Sequence, residues 1–231
     1  MGQYGVRTAY IHMRVMLASA AMAKRPVAKA KKKPSRTYHH GTLRAALIEA
    51  TLRLVEEGGP EAVTVREAAR RSGVSSGAPF RHFPNRTVLM TAVAEEATGR
   101  LHAAVLAAVE PVIDQPPLAQ LRAIGRAYLQ WASDNPTHFA VVSNRGLIDY
   151  ESSPSMQREN EDIQALMGRL LDAAGAPAGA KLAARALVYG LARMRVDGHL
   201  PQWGVASSQE ALAAMDAALD LFLEGLLRPR G

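Results

Sequence analysis

Apolar residues recur along this chain at the spacing of amphipathic helices. In residues 42–57 they fall three or four positions apart, which places them on one face of a helix: Leu43, Ala46, Leu47, Ala50 and Leu54. The pair Gly58-Gly59 follows and predicts the end of this helix. Because the same pattern continues beyond it, we expect an all-α protein.

The later helices are predicted by their starts as well as by their apolar faces. Asn85 caps a long helix that continues to about Val109. Asn135 stands before a proline at a first helical position, and Ser207 forms a capping box with Glu210. The helices predicted after the long one span residues 118–133, 136–144, 155–174, 177–197 and 208–227.

Two short helices joined by a tight turn are predicted in residues 64–83. Thr64 and Glu67 form a capping box at the start of the first helix. Gly73 can adopt the left-handed conformation that ends it, and Ser75 caps the second helix. Two short helices with a glycine in the turn form a helix-turn-helix, whose second helix lies in the major groove of DNA.

The second helix of this motif carries most of the residues that would meet DNA. Pro79 falls in its first turn when counted from Ser75, where we expect a proline to cost little. Phe80 and Phe83 either pack inward or lie against the sugar-phosphate backbone. Arg81 can read a guanine edge or hold a phosphate. The residues predicted to face outward are Ser76, Gly77, Arg81 and His82.

These residues resemble the DNA-binding domain of the tetracycline-repressor (TetR) family. The resemblance runs from Tyr38-His-His-Gly-Thr-Leu43 through Phe83-Pro-Asn-Arg86 to about Leu89. Its features agree in order: an amphipathic helix, a capped second helix, a Gly-Val-Ser turn, and an aromatic-Arg-His-Phe ending. The resemblance implies a three-helix DNA-binding head at residues 37–89, followed at 90–231 by a larger helical domain that binds an effector and dimerises.

The chain departs from the family at two positions in this head. Phe80 stands where the family usually has tyrosine, so no hydroxyl is available there for a phosphate contact. Arg86 stands where lysine is usual, and its guanidinium can hold a phosphate in a two-pronged way. The residues predicted to contact DNA are Tyr38, His39, Thr64, Ser75, Ser76, Gly77, Phe80, Arg81, His82 and Arg86.

A histidine pair, His39-His40, precedes the first helix. Histidine is a common metal ligand, but no carboxylate or further histidine stands at ligand spacing. We therefore expect a phosphate contact near the helix start. Neither a metal nor a cofactor is predicted.

Residues 121–139 resemble the effector domain of a TetR subgroup that is often marked by a later Trp, His and Gly. The corresponding stretch, Arg185-Ala-Leu-Val-Tyr-Gly190, keeps the glycine alone of these three. Its arginine and tyrosine could line a pocket for an acidic or polar small molecule, or the arginines could face solvent or an interface. The candidate ligand-binding residues are Tyr128, Trp131, Phe139, Arg185, Tyr189 and Arg193.

Charge is unevenly distributed along the chain. The formal net charge is +7, but residues 1–36 hold nine Lys and Arg with no acid, so the remaining residues have a net charge of −2. Residues 24–36, rich in Lys, Ala and Pro, are expected to be disordered when free. We expect residues 1–36 to form a basic tail that attracts DNA diffusely, while a few placed cations of the folded part bind it specifically.

The first residues and the cysteine content bear on the compartment. Residues 1–23 have some features of a signal peptide, but Arg14 interrupts their apolar stretch, and we favour a start codon assigned too early, with Met22 as the first residue. The chain has no cysteine, which excludes disulfides, zinc fingers and thiol chemistry. We expect a cytoplasmic protein without a membrane partner.

Two other classes of protein remain as alternatives. Gly73-Val-Ser-Ser-Gly77 fits the Gly-x-Ser-x-Gly nucleophile elbow of hydrolases, which requires a buried strand before the serine. Residues 66–71 form a charged helical surface there instead, and no other catalytic constellation supports a helical enzyme. The second alternative, a helical interaction module that does not bind DNA, would use the same helices.

The expected function is that of a DNA-binding transcriptional regulator without enzymatic activity. Its partner is double-stranded DNA, and a small-molecule effector would release it, as a repressor, from an inverted-repeat operator. A homodimer is expected to form through the last two long helices. The apolar stripe assigned to that interface, which could equally form an intramolecular core, comprises Leu212, Met215, Leu219, Phe222 and Leu226.

Overall fold

The computed structural model describes residues 40–75 and 77–226. Within these ranges the chain is helical and contains no strand. Eight α-helices occur there, α1 His40–Gly58, α2 Val65–Arg71, α3 Arg86–Val109, α4 Pro117–Asp134, α5 Pro136–Val142, α6 Pro154–Ala173, α7 Ala180–Val196 and α8 Ser208–Leu226. Short 3₁₀ helices lie at Pro60–Ala62, Pro79–Arg81, Glu110–Val112, Arg145–Leu147 and Leu200–Trp203.

The all-α prediction is confirmed, and most predicted bounds agree within about two residues. Among the α-helices present, the largest difference in bounds is at α7, which begins at Ala180 and not at Pro177, because Gly179 adopts a left-handed backbone with φ 88° just before it. The predicted basic tail at 1–36 and the predicted DNA contacts Tyr38, His39 and Ser76 lie outside the described residues.

Side-chain caps start α3 and α8 as their sequences predict. The Asn85 side chain accepts a hydrogen bond from the Val88 amide at 2.9 Å. At α8 the capping box is reciprocal, because Ser207 Oγ accepts from the Glu210 amide at 3.2 Å and the Glu210 carboxylate accepts from the Ser207 amide at 2.9 Å. These bonds satisfy amides that helix geometry leaves unpaired.

One long helix, α3, supplies buried side chains to two hydrophobic cores. Its first half, including Leu89 and Val93, packs in the core formed by α1 and α2. Its second half, including Val105 and Val109, packs in the core formed by α4, α6, α7 and α8. The head core also receives Val141, Leu147, Ile148 and Met156 from α5, α6 and their connection. Residue 89, where the predicted domain division lies, therefore falls inside one continuous helix.

Helix α8 packs closely along α4. A Cβ atom added at Gly125 would lie 2.7 Å from Leu219 Cδ2, so the missing side chain allows the two helices to approach. At the edges of this contact, Arg122 forms an ion pair with Asp220. Further along, an Arg126 nitrogen lies 2.7 Å from an Asp216 oxygen. The Arg122 guanidinium lowers the pKa of the Asp220 carboxyl.

This packing corrects the predicted dimer stripe on α8. Met215 and Leu219 are buried in the core of their own chain. The other three members, Leu212, Phe222 and Leu226, are partly buried against the same core. Helical periodicity identified an apolar face correctly, but an apolar face has the same spacing whether it meets its own chain or a second copy. The stripe therefore forms an intramolecular core.

A histidine is buried between α3 and α6. His102 is 2% exposed, its Nε2 lies 3.4 Å from an Asp162 carboxylate oxygen, and that nitrogen has no hydrogen-bond partner among the described residues. Burial lowers the pKa of His102, and the nearby Asp162 charge opposes this shift without reversing it. The folded protein therefore favours neutral His102.

This burial predicts a loss of stability in mild acid. As the pH falls below about 6.5, the ordinary pKa of histidine, the unfolded chain takes up a proton before the folded chain does. We expect the free energy of unfolding to decrease from there through the lower pKa of folded His102, and less steeply in His102→Gln. Urea denaturation at several pH values measures both slopes, and equal slopes would contradict the prediction.

Candidate nucleic-acid interface and cavity

The helix-turn-helix begins with one bond of the predicted capping box. Thr64 Oγ1 accepts a hydrogen bond from the Glu67 amide at 3.0 Å. The Glu67 carboxylate does not complete the box, because it accepts hydrogen bonds from Arg70 at 2.6 and 2.8 Å and from Arg71 at 3.2 Å. Charged donors on the next turn hold this carboxylate more strongly than a neutral amide would. The reciprocal capping box was therefore predicted wrongly.

The acidic groups of this region are paired with arginines. Arg71 bridges Glu67 and Glu57, with a nitrogen 2.7 Å from the Glu57 carboxylate of α1. Hydrogen bonds from Arg70, and then from Arg71, lower the pKa of Glu67 to about 2. Arg66 on the same helix is exposed and forms no ion pair with any described residue. The outer surface of α2 thus presents Arg66 as an available cation.

The turn after α2 has the geometry that Gly73 predicts. Gly73 has φ 66°, its amide donates to the Arg70 carbonyl at 3.2 Å, and the Val74 amide donates to the Ala69 carbonyl at 3.2 Å. These two bonds form a Schellman motif. The Ser72 hydroxyl lies 3.1 Å from the Ala46 carbonyl oxygen, which links the end of α2 to α1.

The predicted second helix is replaced by shorter helical turns. The Ala78 amide donates to the Ser75 carbonyl at 3.1 Å, and a 3₁₀ helix follows at Pro79–Arg81. A regular α-helix capped at Ser75 would need the amide of residue 79 to donate to that carbonyl, and proline has no amide hydrogen. The expectation that Pro79 costs little was therefore wrong, and the recognition segment is a turn and a 3₁₀ helix.

This segment separates its two phenylalanines. Phe83 is 2% exposed and belongs to the head core, whereas Phe80 is 41% exposed. His82 is half-buried, with its ring centroid 6.4 Å from that of Phe83. The predicted DNA contacts that lie exposed on the described surface are Thr64, Ser75, Gly77, Phe80 and Arg81.

Two arginines of the head have contacts or exposure that the sequence analysis did not predict, namely Arg66 and Arg86. Arg66 was not among the predicted contacts, although it is exposed on α2, two residues after the exposed Thr64. Arg86 donates to the Pro60 carbonyl at 2.9 Å and lies 3.2 Å from a Glu61 carboxylate oxygen. Its guanidinium thus holds the α1–α2 connection, and a phosphate contact would compete with these bonds.

A two-lobed cavity lies within the larger helical part. The inner lobe, of about 300 Å³, is lined mainly by apolar side chains of α3, α4, α6, α7 and α8. The outer lobe, of about 380 Å³, reaches α5 and the connection between α5 and α6. Both lobes share Thr98, Leu101, Tyr128, Arg145, Asn160, Leu182 and Arg185. Volumes in this range suit small organic ligands.

Two arginines at the junction of the lobes stack on aromatic rings. The Arg185 guanidinium carbon lies 5.0 Å from the ring centroid of Tyr128 and 5.4 Å from that of Tyr189. The Arg145 guanidinium carbon lies 3.5 Å from the ring centroid of Tyr150. Burial raises the pKa of Tyr128, and the Arg185 charge opposes this shift. Stacking orients each guanidinium and leaves its positive charge in place.

Four of the six predicted ligand-binding residues line the cavity, namely Tyr128, Phe139, Arg185 and Tyr189. The other two do not. Trp131 is buried in the core one turn beyond Tyr128, and Arg193 is bonded to Ser143 at 3.2 Å and to Asp197 at 2.8 Å. Periodicity predicted the correct helix faces, but it could not predict how far along each face the cavity extends.

The described residues offer little support for the enzyme alternative. A hydrolase elbow requires a strand before its serine, and α2 with its Schellman turn stands before Ser75. No group of three or more His, Asp or Glu side chains within residues 40–75 and 77–226 could hold a metal ion. Across those same ranges, no helix has both the length and the apolarity to cross a membrane.

Two family models match this chain. Residues 47–93, which contain α2, the turn and the recognition segment, match the bacterial regulatory proteins of the tetR family. Residues 121–219, which contain most of the cavity, match the tetracyclin repressor-like C-terminal domain. The chain belongs to the TetR family.

Individual TetR-family relatives are similar over part of the chain. It is 28% identical to the HTH-type transcriptional regulator BetI of Cronobacter sakazakii over 128 residues. These residues make up 55% of this chain and 61% of that protein. It is 35% identical to BetI of Serratia proteamaculans over 81 residues, and this segment makes up 35% of this chain and 41% of that protein. The match thus spans less than two thirds of either relative.

Solved structures agree in fold over most of the chain. A protein of unknown function from Rhodococcus sp. RHA1 has a TM-score of 0.67 and 28% identity, covering 84% of this chain and 100% of its own. A TetR-family bacterial regulatory protein from Rhodococcus RHA1 has a TM-score of 0.64 and 21% identity, covering 81% and 98%. The helix-turn-helix followed by a helical C-terminal domain is therefore the fold of the family.

The two phenylalanines of the recognition segment predict separable effects in this TetR-family protein. Phe83→Ala should lower the free energy of unfolding by about 3–5 kcal/mol, because it leaves a cavity in the head core. Phe80→Ala should lower it by about 1 kcal/mol or less, because the Phe80 side chain is 41% exposed and lies outside the head core. Thermal denaturation distinguishes them. Equal destabilisation by both substitutions would contradict the observed burial.

Proposed function

We propose that this protein is a DNA-binding transcriptional regulator that represses by occluding a promoter. The observation that supports this most directly is the helix-turn-helix with an exposed surface containing Thr64, Arg66, Phe80 and Arg81. The one acidic group on α2, Glu67, is paired with Arg70 and Arg71, so the surface has a cationic excess. Such a surface attracts phosphates and brings the recognition segment to base edges. The protein would act in the cytoplasm, where bacterial DNA lies.

The proposed operator is an inverted repeat read by a homodimer. A two-fold dimer presents two equivalent heads to two half-sites, so half-site symmetry follows from protein symmetry. Because the recognition segment is short and ends at the buried Phe83, few side chains can reach base edges. Arg81 is the strongest candidate among them, since an arginine can donate two hydrogen bonds to guanine.

This assignment predicts different effects of Arg66→Ala and Arg81→Ala on DNA binding. Genomic fragments that are shifted by the protein would first identify an operator. Arg81→Ala should then weaken binding by about 1–3 kcal/mol and relax specificity at one base position of each half-site. Arg66→Ala should weaken operator and random DNA alike, because it would contact phosphate.

Arg100→Ala provides the matched control. Arg100 is an exposed arginine in the second half of α3, the half that packs in the core of the larger helical part, and it forms an ion pair with Glu96. Its removal should leave DNA binding unchanged in electrophoretic mobility shifts. Failure to shift any genomic fragment would contradict the proposed function, and unchanged affinity in Arg81→Ala would reject its role.

The proposed dimer uses the outer faces of α7 and α8. On α8, Ala213, Ala217 and Leu221 follow one another at four-residue spacing and are exposed, with Leu221 67% exposed. This row faces away from the Met215 and Leu219 side that packs on α4. Small residues let helices approach closely, and an exposed leucine on such a face favours burial against a partner. Two helices from each copy would form a four-helix bundle.

The dimer predicts that one charge on this row separates the subunits. Leu221→Glu would place two unpaired carboxylates in an apolar contact, so we expect a monomer at micromolar concentration in analytical ultracentrifugation. Ala165→Glu, an exposed position on α6, should remain dimeric. A wild-type monomer would contradict the proposed interface, as would a dimer in Leu221→Glu.

The proposed effector acts through the connection between α5 and α6. In this connection Arg145 and Tyr150 line the outer lobe of the cavity. Leu147 and Ile148 lie between them in sequence and are buried in the head core. A ligand that repositions the first pair must therefore disturb the second. If one arrangement of the heads suits the ligand and another suits DNA, ligand binding weakens operator binding by the same factor as DNA weakens ligand binding.

A polar contact supports the same link between the two parts. Ser153, at the start of α6, donates a hydrogen bond to Glu95 of α3 at 2.9 Å. The same Glu95 carboxylate pairs with Arg44 of α1 at 3.3 Å. Helix α6 lines the cavity and α1 belongs to the head, so this chain of bonds connects the proposed ligand site to the proposed DNA-binding unit.

A further inference from the structure

Among the described residues, the charged side chains that line the cavity are all cations. Arg145, Lys181 and Arg185 line it, and this described lining contains no Asp or Glu. Within the described parts of the chain, none of these three forms an ion pair with a carboxylate. A group of like charges without counter-ions raises the local positive potential, and walls of low dielectric strengthen it. The cavity is therefore electrostatically suited to an anion.

Three other arginines of the larger helical part behave differently. Arg122 and Arg126 on α4 are paired with aspartates of α8, and Arg193 on α7 is paired with Asp197. Arg145 and Arg185 instead rest on tyrosine rings, which hold their planes but do not neutralise them. A planar guanidinium held in this way can donate two parallel hydrogen bonds to a carboxylate or phosphate. Charge pairing thus distinguishes these two side chains from the structural arginines.

The inner lobe requires an apolar part in the ligand. Below the arginines, the lining becomes apolar and comes from five helices, with side chains such as Val105, Leu121 and Leu223 nearly fully buried. A ligand that fills this lobe gains by removing apolar surface from water. Leu182, 75% exposed, lines both lobes and so lies where they open to solvent.

We propose that the cavity binds an amphipathic organic anion, with its carboxylate or phosphate between Arg145 and Arg185 and its apolar body in the inner lobe. This inference rests on the proposed effector function and assigns the chemical class of the effector. Tyr128 and Asn160 lie in both lobes and supply polar contacts at the same level as the arginines. The head group draws Arg145 inward, and Arg145 belongs to the connection that also carries Leu147 and Ile148 into the head core.

The inference predicts that ligand affinity depends separately on the length of the apolar chain and on the negative charge of the head group. Hexanoate, octanoate and decanoate should bind with affinity that rises about fourfold for each added CH₂ until the inner lobe is filled. Decanamide, which has the same chain without the charge, should bind about tenfold to hundredfold more weakly than decanoate. Isothermal titration calorimetry on the full chain without DNA measures both, and decyl phosphate determines which anionic head group is preferred.

Variants of the two arginines test the position of the head group. Arg185→Gln and Arg145→Gln should each reduce the preference for decanoate over decanamide by about tenfold or more, and Arg185→Lys should retain part of it. Arg193→Gln is the matched control, since Arg193 is a cation of the same helix that lies outside the cavity. It should leave the preference unchanged. Circular dichroism identifies any variant that fails to fold, and Arg145→Gln and Arg185→Gln provide separate tests.

The outcomes separate this inference from the proposed function. Equal binding of decanoate and decanamide, or an unchanged preference in both glutamine variants, would overturn the anion site even if genomic DNA is shifted. Decanoate binding with the expected charge dependence supports the site. If such binding then leaves the mobility shift of operator DNA unaltered, the proposed effector role fails and the anion site stands.

Discussion

The structure depends on the burial of α3 in two cores at once. Leu89 and Val93 fix the start of this helix in the head, and Val105 and Val109 fix its end among α4, α6, α7 and α8. Because core side chains pack at nearly crystalline density, neither end can rotate without displacing neighbours. The head therefore does not hang on a flexible linker. Its orientation is coupled to the packing around the cavity, which is the physical requirement for control by a ligand.

The shape of the recognition segment is determined by Pro79, which is incompatible with the α-helix that the sequence predicts there. Pro79 removes the amide that would have bonded to the Ser75 carbonyl, and the chain adopts a turn and a 3₁₀ helix instead. The shorter segment buries Phe83 and leaves Phe80 and Arg81 outside. The Schellman turn at Gly73 fixes where this segment leaves α2. The exposed part of the recognition segment is thus short.

Helices α7 and α8 each direct some side chains into the core or the cavity and others to solvent. This arrangement defines both the cavity and the proposed dimer face. Helix α8 turns Met215 and Leu219 toward α4 and leaves Leu221 outside. Helix α7 turns Val188 inward and directs Arg185 to the junction of the cavity lobes. The paired arginines stabilise helix contacts, whereas the stacked ones keep their charge available. This division supports assigning recognition of a ligand and association of subunits to different faces of the same two helices.

The sequence by itself determined what local physics controls. Helical periodicity predicted the all-α class and most helix bounds, and the chemistry of Asn85, Gly73 and the Ser207–Glu210 box predicted caps and turns, because each depends on residues close in the chain. Tertiary structure decided which apolar face meets which neighbour. It assigned the α8 stripe to an intramolecular core, placed Trp131 and Arg193 beyond the cavity, and tied Arg86 to Pro60 and Glu61. It also left Arg145 and Arg185 without a carboxylate partner among the described residues. Those outcomes depend on contacts between residues distant in sequence, which no local pattern specifies.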